Sequence, residues 1–179
     1  QAGEKPYIEV NIEIAGTTIT YTPDATVPEK MTASAEILIM MRQGEKVANY
    51  EKYTISSPLV SVPQSLLDVR RLVIAPGDYI LEVEVLDLQT PANKKNYKMP
   101  VKVDIPAGIY LTEVQLLRGF KKQENGTENA FVKNGYFMEP LPFNFYDKGS
   151  TKLAFYAEIY HADKAIDKGN YSVRYFIEE

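Results

Sequence analysis

The sequence predicts an all-β protein built as two consecutive β-sandwich domains, the second of them cut short. Three observations carry this expectation. Apolar and polar residues alternate with a period of two, turn residues interrupt the alternation roughly every 8–12 positions, and no window of about ten residues repeats with a helical period.

From the N-terminus, Ile8, Val10, Ile12 and Ile14 of "YIEVNIEI" share one side of a strand, and Glu9, Asn11 and Glu13 share the other. "RQGEK" (42–46) lies between "SAEILIMM" and "VANYEKYTI" and makes a hairpin turn. "PQSLLDVRRLV" comes nearest to a helical pattern and reads as a connection running into a strand. "ILEVEVLD" places Leu81, Val83 and Val85 inward against Glu82 and Glu84. "TPANKKN" (90–96) turns the chain, and "YKMPVKVDI" returns with Met99, Val101 and Val103 inward against Lys98, Lys102 and Asp104. Pro100 stands on the polar side of that last strand and marks an edge or a bulge, because proline cannot donate to a strand ladder. About seven short strands between residues 6 and 105 is the number expected of an immunoglobulin-like sandwich. Pro106 and Gly108 then break the pattern before "IYLTEVQLL" begins a new strand, so the two immunoglobulin-like domains are placed at 1–106 and 107–179.

Tyr79 follows a turn in "APGDY" at the start of a strand. In immunoglobulin-like folds such a tyrosine sends its hydroxyl back to the backbone of the preceding connection, a tyrosine corner; the alternative is an ordinary cross-strand aromatic.

"TASAEILIMMRQGEKV" (32–47) and "TKLAFYAEIYHADKAI" (151–166) share a leading Thr, a strand and a polar turn, and each is followed by a tyrosine-containing strand, "NYEKYTI" and "NYSVRYFI". Read as an internal repeat, the second copy lacks a counterpart of residues 56–105, and Glu179 becomes a truncation point within a longer protein. A half-domain exposes core surface, which predicts self-association or strand exchange through the second half.

All 7 Phe and seven of the 13 Tyr lie after residue 108. One reading is a stacking platform for sugars made of Phe143, Tyr156 and Tyr160. The favoured one is packing, with Leu153, Phe155, Ala157 and Ile159 inward, because strands are rich in aromatics and the chain has no Trp.

The chemistry that composition excludes is extensive. There is no Cys, hence no disulfide, thiolate nucleophile or Cys-type zinc site. The single histidine, His161, rules out a His-rich metal site and reads as a solvated turn residue rather than as the base of a catalytic triad. Calcium loops, phosphate loops and Gly-rich dinucleotide turns are absent, so no catalytic residue, metal or cofactor is assigned. The net charge is −4, with 11 basic against 14 acidic residues before position 107 and 9 against 10 after it. Neither half has the basic excess that nucleic acid or an anionic membrane demands. No apolar run approaches the ~18 residues of a membrane helix. "NGT" (125–127) and "NYS" (170–172) match the N-glycosylation triplet, and "RGFKKQENGTEN" (118–129) reads as a flexible polar loop.

The stretches "YIEVNIEIAGTTITY", "YEKYTISSP", "LLDVRRLVIAPGDYILEVEVLD", "FVKNGYFMEPLPFNFY" and "KLAFYAEIY" together resemble the region upstream of the signature in GWxTD-domain proteins, exported proteins of Bacteroidetes-type bacteria. The signature itself needs a Trp, which this chain lacks. The resemblance implies an exported, periplasmic or cell-envelope protein of a Gram-negative bacterium and brings no catalytic residue with it. The expected function is therefore a non-enzymatic scaffold or protein-interaction module that binds protein partners or itself. The alternatives are a carbohydrate-binding module using the second-domain aromatics, or the accessory domains of a larger enzyme.

Overall fold

The computed structural model describes residues 6–123, 129–165 and 172–178. It divides into two compact units, Gln1–Ile105 with Lys121–Met138, and Pro106–Phe120 with Glu139–Glu179.

In the first unit the long alternations become long strands. β1 (Tyr7–Ile14), the short β2 (Thr22–Pro23) and β3 (Met31–Thr32), β4 (Ser34–Gln43), β5 (Lys46–Ser56), β6 (Leu66–Val73), β7 (Gly77–Asp87) and β8 (Lys94–Val103) are all antiparallel. A four-stranded sheet of order β5-β4-β7-β8 faces the pair β1-β6, an arrangement consistent with a β-sandwich. β4 is its centre. Its odd positions Ala35, Ile37, Ile39 and Met41 are fully enclosed, and each of the three larger side chains contributes roughly 2–3 kcal/mol by leaving water. Val10, Ile12 and Ile14 of β1, Leu66 and Leu72 of β6, and Tyr79 and Leu81 of β7 close on them from both sides.

The β4–β5 connection turns at Gly44, whose φ of 59° suits a residue without a Cβ. Before β7, the Tyr79 hydroxyl donates to the carbonyl of Ala75 at 3.0 Å, across Pro76 and Gly77, and the ring is buried. At the far end of β7, the buried Asp87 carboxylate accepts from the amides of Thr20 (2.8 Å), Gln89 (2.9 Å) and Thr90 (3.2 Å) and from Asn93 Nδ2 (3.3 Å). Burial pushes its pKa up, but the bonds from Thr20, Gln89 and Thr90 outweigh this and hold it below the ordinary aspartate value.

One inward expectation fails. Met99 lies in the core-side row of β8, opposite Leu81, yet is 56% exposed. The reason is the width of the small sheet. β6 runs beside β5, where Tyr53 bonds Asp68 and Asn49 Nδ2 donates to the Val73 carbonyl (2.8 Å), so the two-stranded sheet covers that side and stops short of β8. β8 is an edge strand, with Pro100 opposite Ile80 and no bulge in its register.

Apart from β10 (Gln115–Lys122), the remaining strands are short: β9 (Tyr110–Leu111), β11 (Val132–Lys133), β12 (Tyr136–Pro140), β13 (Ala154–Tyr156) and β14 (Ile159–Tyr160), followed by one helical turn, α1 (Ala162–Ala165). β11-β12-β10-β13 form one sheet and β14-β9 another. In the second unit Leu117 and Pro140 are enclosed. Tyr146 sends its hydroxyl to the carbonyls of Leu117 and Ala154, both at 2.7 Å, and accepts from the Ala154 amide at 3.1 Å.

Several second-half expectations are corrected here. The strand "LAFYAEIY" breaks after Tyr156, and Leu153, Phe155 and Ile159 are exposed rather than inward, because the run splits between two sheets, β13 pairing with β10 and β14 with β9. His161 takes a left-handed φ of 61° and leads into α1 where the repeat predicts a turn, and residues 166–171 of that hairpin lie outside the described residues. "SVRYFIE" (172–178) is not a strand, and Tyr175, Phe176 and Ile177 are exposed. Arg118–Lys122 belong to β10 rather than to a loop. The "NGT" triplet and the first two residues of "NYS" lie outside the described residues.

Candidate functional site

Three places gather residues that could do chemistry or bind. The first lies between the two sheets of the first unit. Tyr53 of β5 and Asp68 and Arg70 of β6 all point to the core side: Tyr53 is opposite Ile37, Asp68 opposite Ile12 and Arg70 opposite Val10. The Tyr53 hydroxyl donates to Asp68 Oδ2 at 2.6 Å, Arg70 Nε donates to the same oxygen at 3.1 Å, and the guanidinium carbon sits 3.7 Å from the centre of the Tyr53 ring. Burial, followed by the hydrogen bond to Asp68 and its charge, pushes the Tyr53 phenol far up, so it remains a proton donor wherever the protein folds. A phenol held protonated is neither base nor nucleophile. The knot satisfies buried polar groups and fastens β5 to β6.

The second place is in the second unit and includes two of the sequence-predicted residues. Tyr156 donates to Glu158 Oε1 at 2.5 Å, and Tyr160 donates to Glu158 Oε2. Glu158 is fixed by its backbone, which exchanges bonds with Thr112: Thr112 N donates to Glu158 O, and Glu158 N to Thr112 Oγ1, both at 2.9 Å. Tyr110 stacks on Tyr160 with ring centres 5.1 Å apart and 8° between planes, and His161 meets Tyr110 edge-on at 5.6 Å. His161 Nδ1 lies 3.2 Å from the Gly108 carbonyl, which only accepts, so that nitrogen carries the proton. Phe143 is apart from this group; it is 67% exposed and makes no ring contact among the described residues. Glu158, the residue that joins the two tyrosines, was not singled out in the sequence, where it reads as one of many strand acids. Its spacing of two from each tyrosine was the available signal.

The third place is the uncovered flank of the first unit along β8. Its core-side row is Lys95, Tyr97, Met99, Val101 and Val103, of which only Val103 is buried, and Tyr97 is 63% exposed. Its outer row carries Lys94, Lys98 and Lys102. Lys98 Nζ meets Glu82 at 2.8 Å and Lys94 Nζ meets Glu84 at 2.7 Å, both across the strand pair from β7. Sequence analysis assigned Met99 to the core and gave Tyr97 no role. The strand alternation alone cannot tell whether an inward row has anything above it.

A fourth feature is a cleft of about 470 Å³ lined by Arg71, Asn129, Ala130 and Val132. It converges no set of ionisable groups, since Arg71 is already paired with Glu9 at 2.9 Å. Among the described residues no group of three or more His, Asp or Glu could hold a metal ion, and no helix is long and apolar enough to cross a membrane. Comparison of the chain with protein-family models, with curated proteins and with solved structures gave no match.

Proposed function

We propose that this chain is a non-enzymatic protein-interaction module of the bacterial cell envelope, built on an immunoglobulin-like sandwich, and that it works through the β8 flank. The observation that carries this reading is the open edge itself. A strand with one unpaired side and two large apolar side chains, Tyr97 and Met99, more than half exposed in its core-side row is a template for another chain. Export and envelope location rest on the sequence resemblance. The carbohydrate alternative gains no support from the aromatics, since Tyr156 and Tyr160 spend their hydroxyls on Glu158 and Phe143 is apart from them. The test is site-specific photocrosslinking in native envelopes, with the photoreactive residue placed at position 97 and, in a second variant, at exposed Thr17. A discrete crosslinked protein species from position 97 alone is expected. Equal labelling from both positions, or none from 97, removes the reading.

A further inference from the structure

We infer that the β8 flank takes an extended segment of a partner protein in which acidic residues alternate with apolar ones, added as a fifth strand to the large sheet. The inference rests on the interaction-module reading and names the chemistry of its partner. β8 already has one neighbour of this kind. β7 runs antiparallel to it with Leu81, Val83 and Val85 opposite Met99, Tyr97 and Lys95 on one face, and with Glu82 opposite Lys98 on the other. Cross-strand pairs of this sort, apolar against aromatic and acid against lysine, are what stabilise a sheet. A strand side chain stands out of the sheet plane and is reached from both edges, so β8 offers the same two rows to a strand on its free side as it does to β7.

Charge selects the partner further. Lys94–Val103 contains four lysines and no acid. Lys94 and Lys98, in the outer row where the acids of the incoming strand would fall, each meet one β7 glutamate, yet their side chains are 45% and 65% exposed and an ammonium has donors for a second carboxylate, while Lys95 has no ion-pair partner among the described residues. The same lysines weigh against a second copy, because two β8 strands laid edge to edge would set lysines against lysines. Pro100 offers no N–H, so the ladder is expected to run along Lys94–Met99 and to end there. Apolar side chains of the incoming strand would then cover Tyr97 and Met99 in place of the small sheet that stops short of them.

The probe is a fluorescently labelled synthetic peptide with the sequence of Ile80–Asp87, ILEVEVLD, titrated into the 179-residue chain by anisotropy. Three comparisons accompany it: the same peptide with every second amide N-methylated, the peptide with both glutamates replaced by lysine, and the variants Tyr97→Asp and Lys95→Glu. Both variant positions are exposed, so their folding is checked by circular dichroism. Saturable binding is expected, weakened about tenfold or more by N-methylation or by Tyr97→Asp, and about threefold by Lys95→Glu. N-methylated peptide binding equally well would reduce the effect to charge and overturn strand addition. So would a titration that stays flat, or one indifferent to Tyr97→Asp, or a chain already dimeric through β8. If the peptide stays unbound while photocrosslinking at position 97 still captures a protein, the interaction module survives and the acidic strand does not. If both are silent, both readings fall.

Discussion

The two compact units draw on the same kinds of residue but organise them differently. In the first, β4 alternates without interruption for ten residues, its neighbours on either side are 11 residues long, and the inward row of β4 is sealed. In the second, the strands β9, β13 and β14 are two or three residues long, and Phe143, Phe145, Tyr175 and Phe176 are exposed although this unit holds five of the 7 Phe of the chain. Apolar content does not make a core; an alternation long enough to pair on both sides and be covered does. The interruptions are visible: Asn144 and His161 both adopt left-handed φ values, 49° and 61°, and Pro140 and Pro142 limit the ladder around them.

The strongest way to break this comparison is a matched pair of truncations. Ile39→Ala is expected to lower the main urea transition, followed by far-UV circular dichroism, by about 3–4 kcal/mol, the cost of a cavity in a sealed row. Leu117→Ala, equally enclosed, is expected to leave the midpoint of that transition in place and act on the second unit. Equal shifts from both substitutions would show one cooperative body and dissolve the contrast.

A smaller effect tests how the first unit is closed. Asp87→Ala removes an acceptor used by four donors and is expected to cost about 2–3 kcal/mol. Because the folded pKa lies below the ordinary 3.8, the carboxylate adds stability above that pH and loses it as pH falls through the folded value. The gap between wild type and Asp87→Ala, measured as the denaturation midpoint from pH 7 to pH 2, should therefore be constant near neutrality and narrow below about pH 4.

The smallest effects sharpen the comparison instead. Each unit holds a tyrosine that ties a carbonyl of its own backbone beside a strand, Tyr79 to Ala75 in the first and Tyr146 to Leu117 and Ala154 in the second. Tyr79→Phe and Tyr146→Phe should each cost about 1 kcal/mol. Hydrogen exchange should report the first as a local loosening within a protected core and the second as faster exchange along β10 and β13.

How far the sequence was legible follows the same line. The hairpin at Gly44, the strand that Tyr79 opens, a turn within 90–96 and the edge or bulge marked by Pro100 could all be read, because period and turn chemistry are local properties, although β7 starts two residues earlier, at Gly77, and β8 already at Lys94. Met99 was misplaced because cover is a property of the opposite sheet, which strand periodicity does not contain. Asp68 and Arg70 broke the apolar alternation of "LLDVRRLV" and carried their own hint, two charges in an inward row, yet their partner Tyr53 comes from another strand. In the second half the period-two pattern of "LAFYAEIY" was real but too short to hold a ladder past Tyr156. Glu158 gained its meaning only when Tyr156, Tyr160 and Thr112 met around it.

The Asp87 carboxylate has one more consequence, for time rather than for equilibrium. It joins Thr20 to the β7–β8 turn across 67 residues of chain. A loop of that length closes late, after the hairpins on either side have formed from neighbours in sequence. Bonds made after the folding barrier leave the rate of folding alone and set the rate of escape. Asp87→Ala is therefore expected to speed unfolding and leave the folding rate unchanged, which would make this carboxylate a latch on the lifetime of the folded chain.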